Sequence, residues 1–327
     1  MKNKIILCGA STLFLLLFLF GTAQANEWQN VGTARFVEGE IQSITTDNSG
    51  NPYITVSGQK PKKFDGTSWA DLGDGPVCND SCNIKYNAVN NQIYLIWSQG
   101  TTYYIKKYNG SSWEDVGDGS ICSVQTNDGL LHGTVSALDF HPQTGQPYVI
   151  CNVVSQDQTG WEVKVKRYDG SSCVDVGPVV ADENHPFGTD LTFDQGRRDY
   201  AHVVYYSTSG GHTYLSVKSH LDPTSGFPQG RWLDEGSANF AEAYASADVN
   251  PQIIFESSDD KVSFTTFNSS TNEVVGHIMQ LIGGTPWFTA VRTTKESLLI
   301  KPAAWPIAGF PSSTLVLWAN NQCGTEI

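Results

Sequence analysis

Residues 107–117 read KYNGSSWEDVG. A basic-aromatic pair precedes an Asn-Gly turn, and two hydroxyl residues, a tryptophan, two acids, an aliphatic residue and a glycine follow. The same frame recurs without a gap at 63–73 (KFDGTSWADLG) and 167–177 (RYDGSSCVDVG), and more loosely at 266–276 (TFNSSTNEVVG). Its second half alone occurs at 28–32 and 232–236. Recurrence of one frame along the chain predicts a repeat architecture.

Each repeat is predicted to form four short strands. Upstream of the frame, a polar turn leads into a β-rich apolar run, as in GNPYITV (50–56) and GQPYVIC (145–151). The Asp-Gly or Asn-Gly pair predicts the last hairpin turn, where glycine accepts a positive φ. The tryptophan then begins the fourth strand, and we expect Trp69, Trp113 and Trp232 to pack over a sheet edge. Stacking of these rings on a ligand is the alternative.

The repeats predict an all-β, six-bladed β-propeller of four-stranded antiparallel blades. Five units run from residue 33 to about residue 276, and the tail has strand-like runs at 287–292, 297–301 and 313–319. The tail lacks a fourth strand, whereas 28–32 is a fourth strand without its first three. Joining the two closes a ring, with the N-terminal strand completing the last blade and few sheet edges left exposed. Five or seven blades are the alternatives.

The first 25 residues have the pattern of a secretory signal peptide. Two lysines precede an apolar run, which ends in the small-x-small sequence of residues 23–25. A retained anchor is disfavoured because that run is shorter than the ~20 residues that span a bilayer. We therefore expect a single propeller domain over 26–327, exported and then secreted, periplasmic or held at the surface of a bacterium.

The charge of the chain limits its partners. The formal net charge is -13, and it becomes -15 for 26–327 because Lys2 and Lys4 fall in the predicted signal peptide, which has no acid. Such an acidic chain is a poor partner for nucleic acid or an anionic membrane surface. No later stretch is long and apolar enough to predict membrane insertion. The oligomeric state stays open.

The six cysteines beyond the predicted signal peptide are disulfide candidates, because an even count in an exported chain favours disulfides. Cys78 and Cys82 are spaced to close a small loop, and sequence cannot choose among the 15 pairings that six cysteines allow. A metal site at this Cys-x3-Cys is the alternative, although no histidine or second cysteine pair stands at metal-ligand spacing. The candidates are Cys78, Cys82, Cys122, Cys151, Cys173 and Cys323.

The chain resembles secreted bacterial β-propellers of the sialidase-like and kelch-like kind. The K-[FY]-[DN]-G-x-S-W-x-x-[LV]-G endings and the preceding Gly-x-Pro-Tyr turns carry this resemblance, which covers nearly all of 26–327. It implies the fold and not one activity, because such propellers include lectins, glycan hydrolases, lactonases and scaffolds. The Asp-box and the arginine motif of sialidases are both missing, which counts against sialidase activity.

Candidate ligand-binding residues come from the starts of first strands and from the connections between blades. Carboxylates beside a histidine are able to do acid-base work or to hold Ca²⁺ through oxygen ligands. Solvated loop acids are the alternative, no catalytic residue or metal ligand is assigned, and no cofactor is expected apart from that option of Ca²⁺. The candidates are Glu40, His132, Asp182, Glu183, His185, Asp190 and Glu242.

Three functions are compatible with the sequence. The first is an exported propeller that binds extracellular carbohydrate or a protein partner, since aromatic faces stack on sugar rings and polar edges bond hydroxyls. The second is a hydrolase or lyase for a glycan or lactone, with an acidic site at the mouth of the channel. The third is a non-catalytic scaffold of a surface assembly. We favour binding over catalysis.

Overall fold

Strands make up every regular element that the computed structural model of the chain describes. The described residues are 36–79, 82–99, 102–123, 135–154, 161–181, 187–194, 199–209, 212–221, 230–235, 241–243, 252–256, 261–268, 273–282, 285–293, 303–305, 313–315, 318–319 and 325–326. Within these ranges no helix has the length and apolar character needed to cross a bilayer.

Most strands form five sheets in chain order. Sheet I comprises β1 Ile41–Thr46, β2 Pro52–Val56, β3 Lys62–Phe64 and β4 Trp69–Asp71. Sheet II comprises β5 Cys82–Asn87, β6 Gln92–Gln99, β7 Thr102–Tyr108 and β8 Trp113–Ser123. Sheet III comprises β9 Val135–Phe140, β10 Pro147–Val154, β11 Trp161–Tyr168 and β12 Cys173–Asp175. Sheet IV comprises β13 Phe187–Phe193, β14 Ala201–Ser209, β15 His212–Leu221 and β16 Arg231–Asp234, and β17 Ala241–Ala243 also pairs with β15.

The remaining strands form sheet V and two short ribbons. Sheet V comprises β18 Gln252–Glu256, β19 Lys261–Asn268, β20 Glu273–Ile282 and β21 Thr285–Thr293. The ribbons pair β22 Ala303–Trp305 with β23 Ser313–Leu315, and β24 Trp318–Ala319 with β25 Thr325–Glu326. In sheets I to V the strands pair in chain order and antiparallel, so the prediction of an all-β fold with four-stranded antiparallel sheets is confirmed.

The first strand of each sheet contacts the first strand of the next. Contacts run from β1 to β5, β9, β13 and β18, and β22 contacts both β18 and β1. Apolar side chains on the facing surfaces of successive sheets form the core, as where Tyr53 and Leu72 of sheet I meet Ile84 and Leu95 of sheet II. Similar clusters join sheet II to III and sheet III to IV. The core is therefore a series of layers between sheets.

The repeated frame forms the hairpin between the third and fourth strands of sheets I, II and III. In sheet I the Asp65 carboxylate accepts hydrogen bonds from the amides of Thr67 and Ser68, both at 2.8 Å, and Gly66 has a φ of +98°. Asn109 and Asp169 make the same pair of bonds in sheets II and III. The turn prediction is confirmed, and the acid or amide side chain of the turn accepts hydrogen bonds from the backbone.

Replacing Asp65 with Asn is expected to preserve this turn, because Asn109 already builds it in sheet II. The amides of Ser68 and then Thr67 hold the pKa of Asp65 below its ordinary value of 3.8. The contribution of such a carboxylate is present above the pKa of the unfolded chain and is lost as pH falls through the lower folded value. Urea unfolding from pH 7 to pH 2 should show slightly less acid sensitivity in D65N. Equal acid sensitivity would contradict this role.

A lysine on the third strand pairs with an aspartate directly opposite on the fourth. The Nζ–Oδ1 distance is 2.6 Å for Lys62–Asp71 and Lys106–Asp115 and 2.7 Å for Lys166–Asp175. Because the aspartates are half exposed, each pair is worth at most about 1 kcal/mol. The pairs therefore explain why the frame has an aspartate before its aliphatic residue, and no ligand is needed to account for it.

Two of the repeated tryptophans tie neighbouring sheets together, and the third packs on the core of sheet I. Trp113 Nε1 donates a hydrogen bond to the Leu72 carbonyl of sheet I at 2.9 Å, and Trp232 Nε1 donates to the Pro178 carbonyl, which follows sheet III, at 3.1 Å. Trp69 stacks on Phe36 with ring centroids 4.5 Å apart. These contacts bear out the predicted packing role.

Two predictions about the fifth repeat are wrong. The hairpin within TFNSSTNEVVG joins the second and third strands of sheet V and not its third and fourth. The run 287–292, expected in the last blade, lies in β21 and is the fourth strand of sheet V. This repeat lacks the turn glycine found in sheets I to III and the tryptophan found in sheets I and II. The predicted closing strand at 28–32 and the run 297–301 lie outside the described residues.

The cysteines differ in state. Cys78 and Cys82 form a disulfide in the connection between sheets I and II. Cys151 is disulfide-bonded, whereas Cys173, at the tryptophan position of the third repeat, is a half-buried thiol that packs against the core between sheets II and III. The disulfide expectation is therefore wrong for Cys173. The side chains of Cys122 and Cys323 lie outside the described part of the chain.

Candidate functional site

The first strands of sheets I to IV bring polar side chains together along the line where the sheets meet. Strand register aligns Ile44, Ile84, Leu138 and Leu191, which face equivalent residues of the second strands. The positions on either side of this apolar residue are mostly polar. The preceding position holds Ser43, Asn83, Ala137 and Asp190, and the following position holds Thr45, Lys85, Asp139 and Thr192.

Several of these side chains bond the backbone of the next sheet. The hydroxyl of Ser43 accepts a hydrogen bond from the Ile84 amide at 3.0 Å, and that of Thr45 accepts one from the Tyr86 amide at 3.0 Å. A first strand has one row of backbone groups without a strand partner, and buried groups of this kind need hydrogen bonds. The polar first strands therefore have a structural explanation.

Asp190, a predicted ligand residue, makes the same type of bond. It stands at the position of Ser43, and its Oδ2 accepts a hydrogen bond from the amide of Ile253 on β18 at 3.0 Å. The carboxylate also acts electrostatically on Lys85 of sheet II. Asp190 is therefore both a link between sheets IV and V and a member of a charged group on the first strands.

Lys85 and Asp139 differ from this pattern, because Asp139 Oδ1 accepts a hydrogen bond from the amide of its own neighbour Phe140, at 3.0 Å, and not from the next sheet. They occupy the position that holds threonine in sheets I and IV, and they pair across two sheets with Nζ and Oδ1 3.4 Å apart. The Lys85 side chain keeps 35% of its surface exposed and Asp139 keeps 15%. This position therefore combines a donor and an acceptor that solvent can reach.

The carboxylates determine the charge state of Lys85. Burial alone would lower its pKa, but the charges of Asp139 and then Asp190 outweigh burial and raise the pKa. Lys85 is therefore an ammonium throughout the physiological range. With two ionised carboxylates, the axial cluster, defined as Lys85, Asp139 and Asp190, has a net charge of about -1.

The structure brings one of the seven predicted ligand residues into this cluster. Glu40 is exposed ahead of β1, and its carbonyl accepts a hydrogen bond from the Ser57 amide at 2.9 Å. Glu242 lies in β17 opposite Tyr214, beside a third strand and not among the first strands. The other four lie outside the described residues: His132, Asp182, Glu183 and His185.

Sequence reasoning missed Lys85 and Asp139. A signal was available in the turn after each first strand. Counting back the same number of residues from the GQPY turn and from its weaker counterpart NQIY places Asp139 and Lys85 at the same register position.

Among the described residues, no group of three acids, histidines or cysteines is arranged to hold a metal ion. The option of Ca²⁺ stays a prediction.

No family model matches the chain, and no curated protein sequence is similar to it. Solved structures are similar in fold. The SapL1 lectin, in a complex with alpha methyl fucoside, shares 13% identity over 88% of this chain and 90% of its own, with a TM-score of 0.58. The PQQ-bound aldose sugar dehydrogenase of Streptomyces coelicolor shares 12% over 91% and 95%, with a TM-score of 0.55. A putative glucose dehydrogenase of Thermus thermophilus shares 10% over 84% and 90%, with a TM-score of 0.53.

At these identities the likeness shows the fold alone. The neighbours are propeller-like, which agrees with successive four-stranded antiparallel sheets whose first strands contact each other. A lectin and two sugar dehydrogenases share this arrangement, so the fold does not decide between binding and catalysis.

Proposed function

We propose that residues 26–327 form one six-bladed propeller that is exported and binds carbohydrate. The contacts of β22 with both β18 and β1 support a sixth position between sheets V and I. The ribbon of β22 and β23 would supply two strands of the last blade, and the frame fragment at 28–32 would supply its fourth. The disulfide between Cys78 and Cys82 is consistent with export to an oxidising compartment.

The axial cluster is the proposed binding site, and the departure of Lys85 and Asp139 from the repeat carries the proposal. A fold made of repeats needs only a small hydroxyl side chain at this position, as Thr45 shows by bonding the next sheet. A lysine and an aspartate there place two charges in a partly buried position, at a desolvation cost that a threonine avoids. Together they offer donors and acceptors for the adjacent hydroxyls of a sugar.

Neutral glycans are the proposed ligand class. The cluster has an excess of one carboxylate, and the whole chain has a formal charge of -13. Both would repel polyuronates and sialylated or sulfated glycans. A protein partner is the other binding option. Failure to bind any glycan would remove the carbohydrate proposal and leave the protein partner.

The test compares glycan binding by the secreted protein with binding by the double variant Lys85→Met/Asp139→Asn. Removing both charges leaves neither partner buried alone, so the fold should be retained. We expect binding of a neutral glycan on an array, confirmed by calorimetry, and at least tenfold weaker binding by the variant, which corresponds to about 1.4 kcal/mol.

The matched control is Lys106→Met/Asp115→Asn, which removes a lysine-aspartate pair on the outer strands of sheet II whose aspartate is half exposed. It should bind within about twofold of the natural protein, since a partly exposed pair contributes little. Unchanged binding by the axial variant would place the site elsewhere, and absence of binding to every glycan would overturn the function. Turnover of glycoside substrates that is lost in D139N would instead favour the hydrolase alternative.

A further inference from the structure

In sheet I, an aspartate and a tyrosine hold the turn between the first and second strands. Asp47 accepts hydrogen bonds from the amides of Ser49 and Asn51 through Oδ1, and Tyr53 donates its hydroxyl to Oδ2 at 3.0 Å. Tyr53 stands opposite Thr45 in the strand register. Tyrosine occupies the same register position in sheets II and III, as Tyr94 and Tyr148.

In sheet IV the ring of this pair is a histidine. Asp194 corresponds to Asp47, because each is the first residue after the first strand, and His202 corresponds to Tyr53, because it stands opposite Thr192. Both side chains are buried, with residue exposures of 3% for Asp194 and 1% for His202. The Nε2–Oδ2 distance is 3.9 Å, and neither ring nitrogen has a hydrogen-bond partner.

The two pairs respond differently to pH. Burial and then Asp47 raise the pKa of Tyr53, so the phenol keeps its proton and its bond to Asp47 throughout the physiological range. An imidazole gains a charge between about pH 8 and pH 5. A neutral His202 has one N–H donor and no charge, whereas a protonated one has an N–H on each ring nitrogen and a positive charge to offer the Asp194 carboxylate.

The surroundings of His202 are acidic. Asp194 lies on the turn, and Asp190 lies on the same face of β13 as Thr192, two residues away. On β15, the neighbour Ser219 donates its hydroxyl to the Glu235 carboxylate at 2.5 Å.

We propose that His202 and Asp194 form a latch that acid strengthens. Protonation of His202 draws Nε2 toward Oδ2 of Asp194, while Oδ1 keeps its hydrogen bond from the Tyr200 amide. The same turn reaches sheet III, because the Asp199 carboxylate accepts a hydrogen bond from Gln143. Acid therefore tightens sheet IV and its link to sheet III. This inference does not rest on the proposed function.

Hydrogen exchange of residues 199–205, measured at pH 5.5 and pH 7.5 and corrected for the intrinsic rates, tests the latch. We expect the natural protein to show about tenfold greater protection at pH 5.5, the gain that one hydrogen bond between charged groups gives. His202→Tyr installs the ring of the other sheets, so its protection should be independent of pH.

His212→Gln is the matched control, because it removes an exposed histidine from β15 and should leave the pH response intact. His202→Gln serves as a second variant should the tyrosine disturb packing, and it should also abolish the response. Equal protection of the natural protein at both pH values, or a pH response that persists in both His202 variants, would overturn the proposal.

Discussion

Replacing Gly73 with Ala is expected to destabilise the protein by about 3 kcal/mol. Gly73 has a φ of +64°, in the left-handed region, which costs a residue with a Cβ roughly 1–2 kcal/mol. The new Cβ would also lie 2.8 Å from Cε2 of Tyr108 and 3.1 Å from the carbonyl oxygen of Ser111. Displacing a packed neighbour adds roughly 1–3 kcal/mol. Urea unfolding followed by tryptophan fluorescence measures the change.

Tyr108 has little freedom to move aside. Its hydroxyl donates a hydrogen bond to the Gly110 carbonyl at 2.9 Å, and its ring lies 5.4 Å from that of Trp113. Gly58→Ala is the matched control, because Gly58 has a similar φ of +73° and open space around the position of a Cβ. It should cost only about 1 kcal/mol. Equal losses in the two variants would show that the contact with Tyr108 contributes nothing.

Local sequence could predict the strand order because each repeat carries its own turn chemistry. The Asp65 or Asn109 side chain and the following glycine specify a hairpin within a few residues. The structure supplies a reason for the closing glycine of the frame: the tyrosine of the next repeat packs on it, as Tyr108 packs on Gly73. Such a contact joins two sheets and leaves no local trace.

The axial cluster shows the same limit. Asp190 could be proposed because acids are frequent in its part of the sequence, but its partner Lys85 lies on another sheet. Lys85 and Asp139 meet because two first strands align in register, 54 positions apart in the sequence. Taken alone, each of the two is an ordinary polar residue that follows an apolar residue in a strand. Only comparison of the register of all four sheets reveals that both depart from threonine.

The prediction for the fifth repeat was wrong for a physical reason. Its sequence keeps the aromatic residue and the asparagine of the turn, Phe267 and Asn268, but has serine where Gly66 stands in sheet I. Without glycine and tryptophan, nothing local distinguishes a hairpin between the second and third strands from one between the third and fourth. The pairing of β20 with both β19 and β21 makes β20 the third strand of sheet V.

Replacing Trp113 with Ala is expected to cost about 3 kcal/mol, near the lower end of the range for removing a packed tryptophan, because the ring is half buried. The indole packs against the core between sheets I and II, and a Cβ on Gly75 would lie only 2.6 Å from its Nε1. The variant should still fold, since Cys173 occupies this position in sheet III. Thermal and urea unfolding measure the loss.

Trp113→Phe separates the ring from its hydrogen bond. Phenylalanine keeps most of the apolar contact but leaves the Leu72 carbonyl without the indole donor, at a cost of about 1 kcal/mol. Trp232→Phe removes the equivalent bond to Pro178 and should cost no more, because that bond is exposed. If W113A cost no more than W113F, the tryptophan would act through its hydrogen bond alone. The apolar layer between sheets would then not depend on the ring.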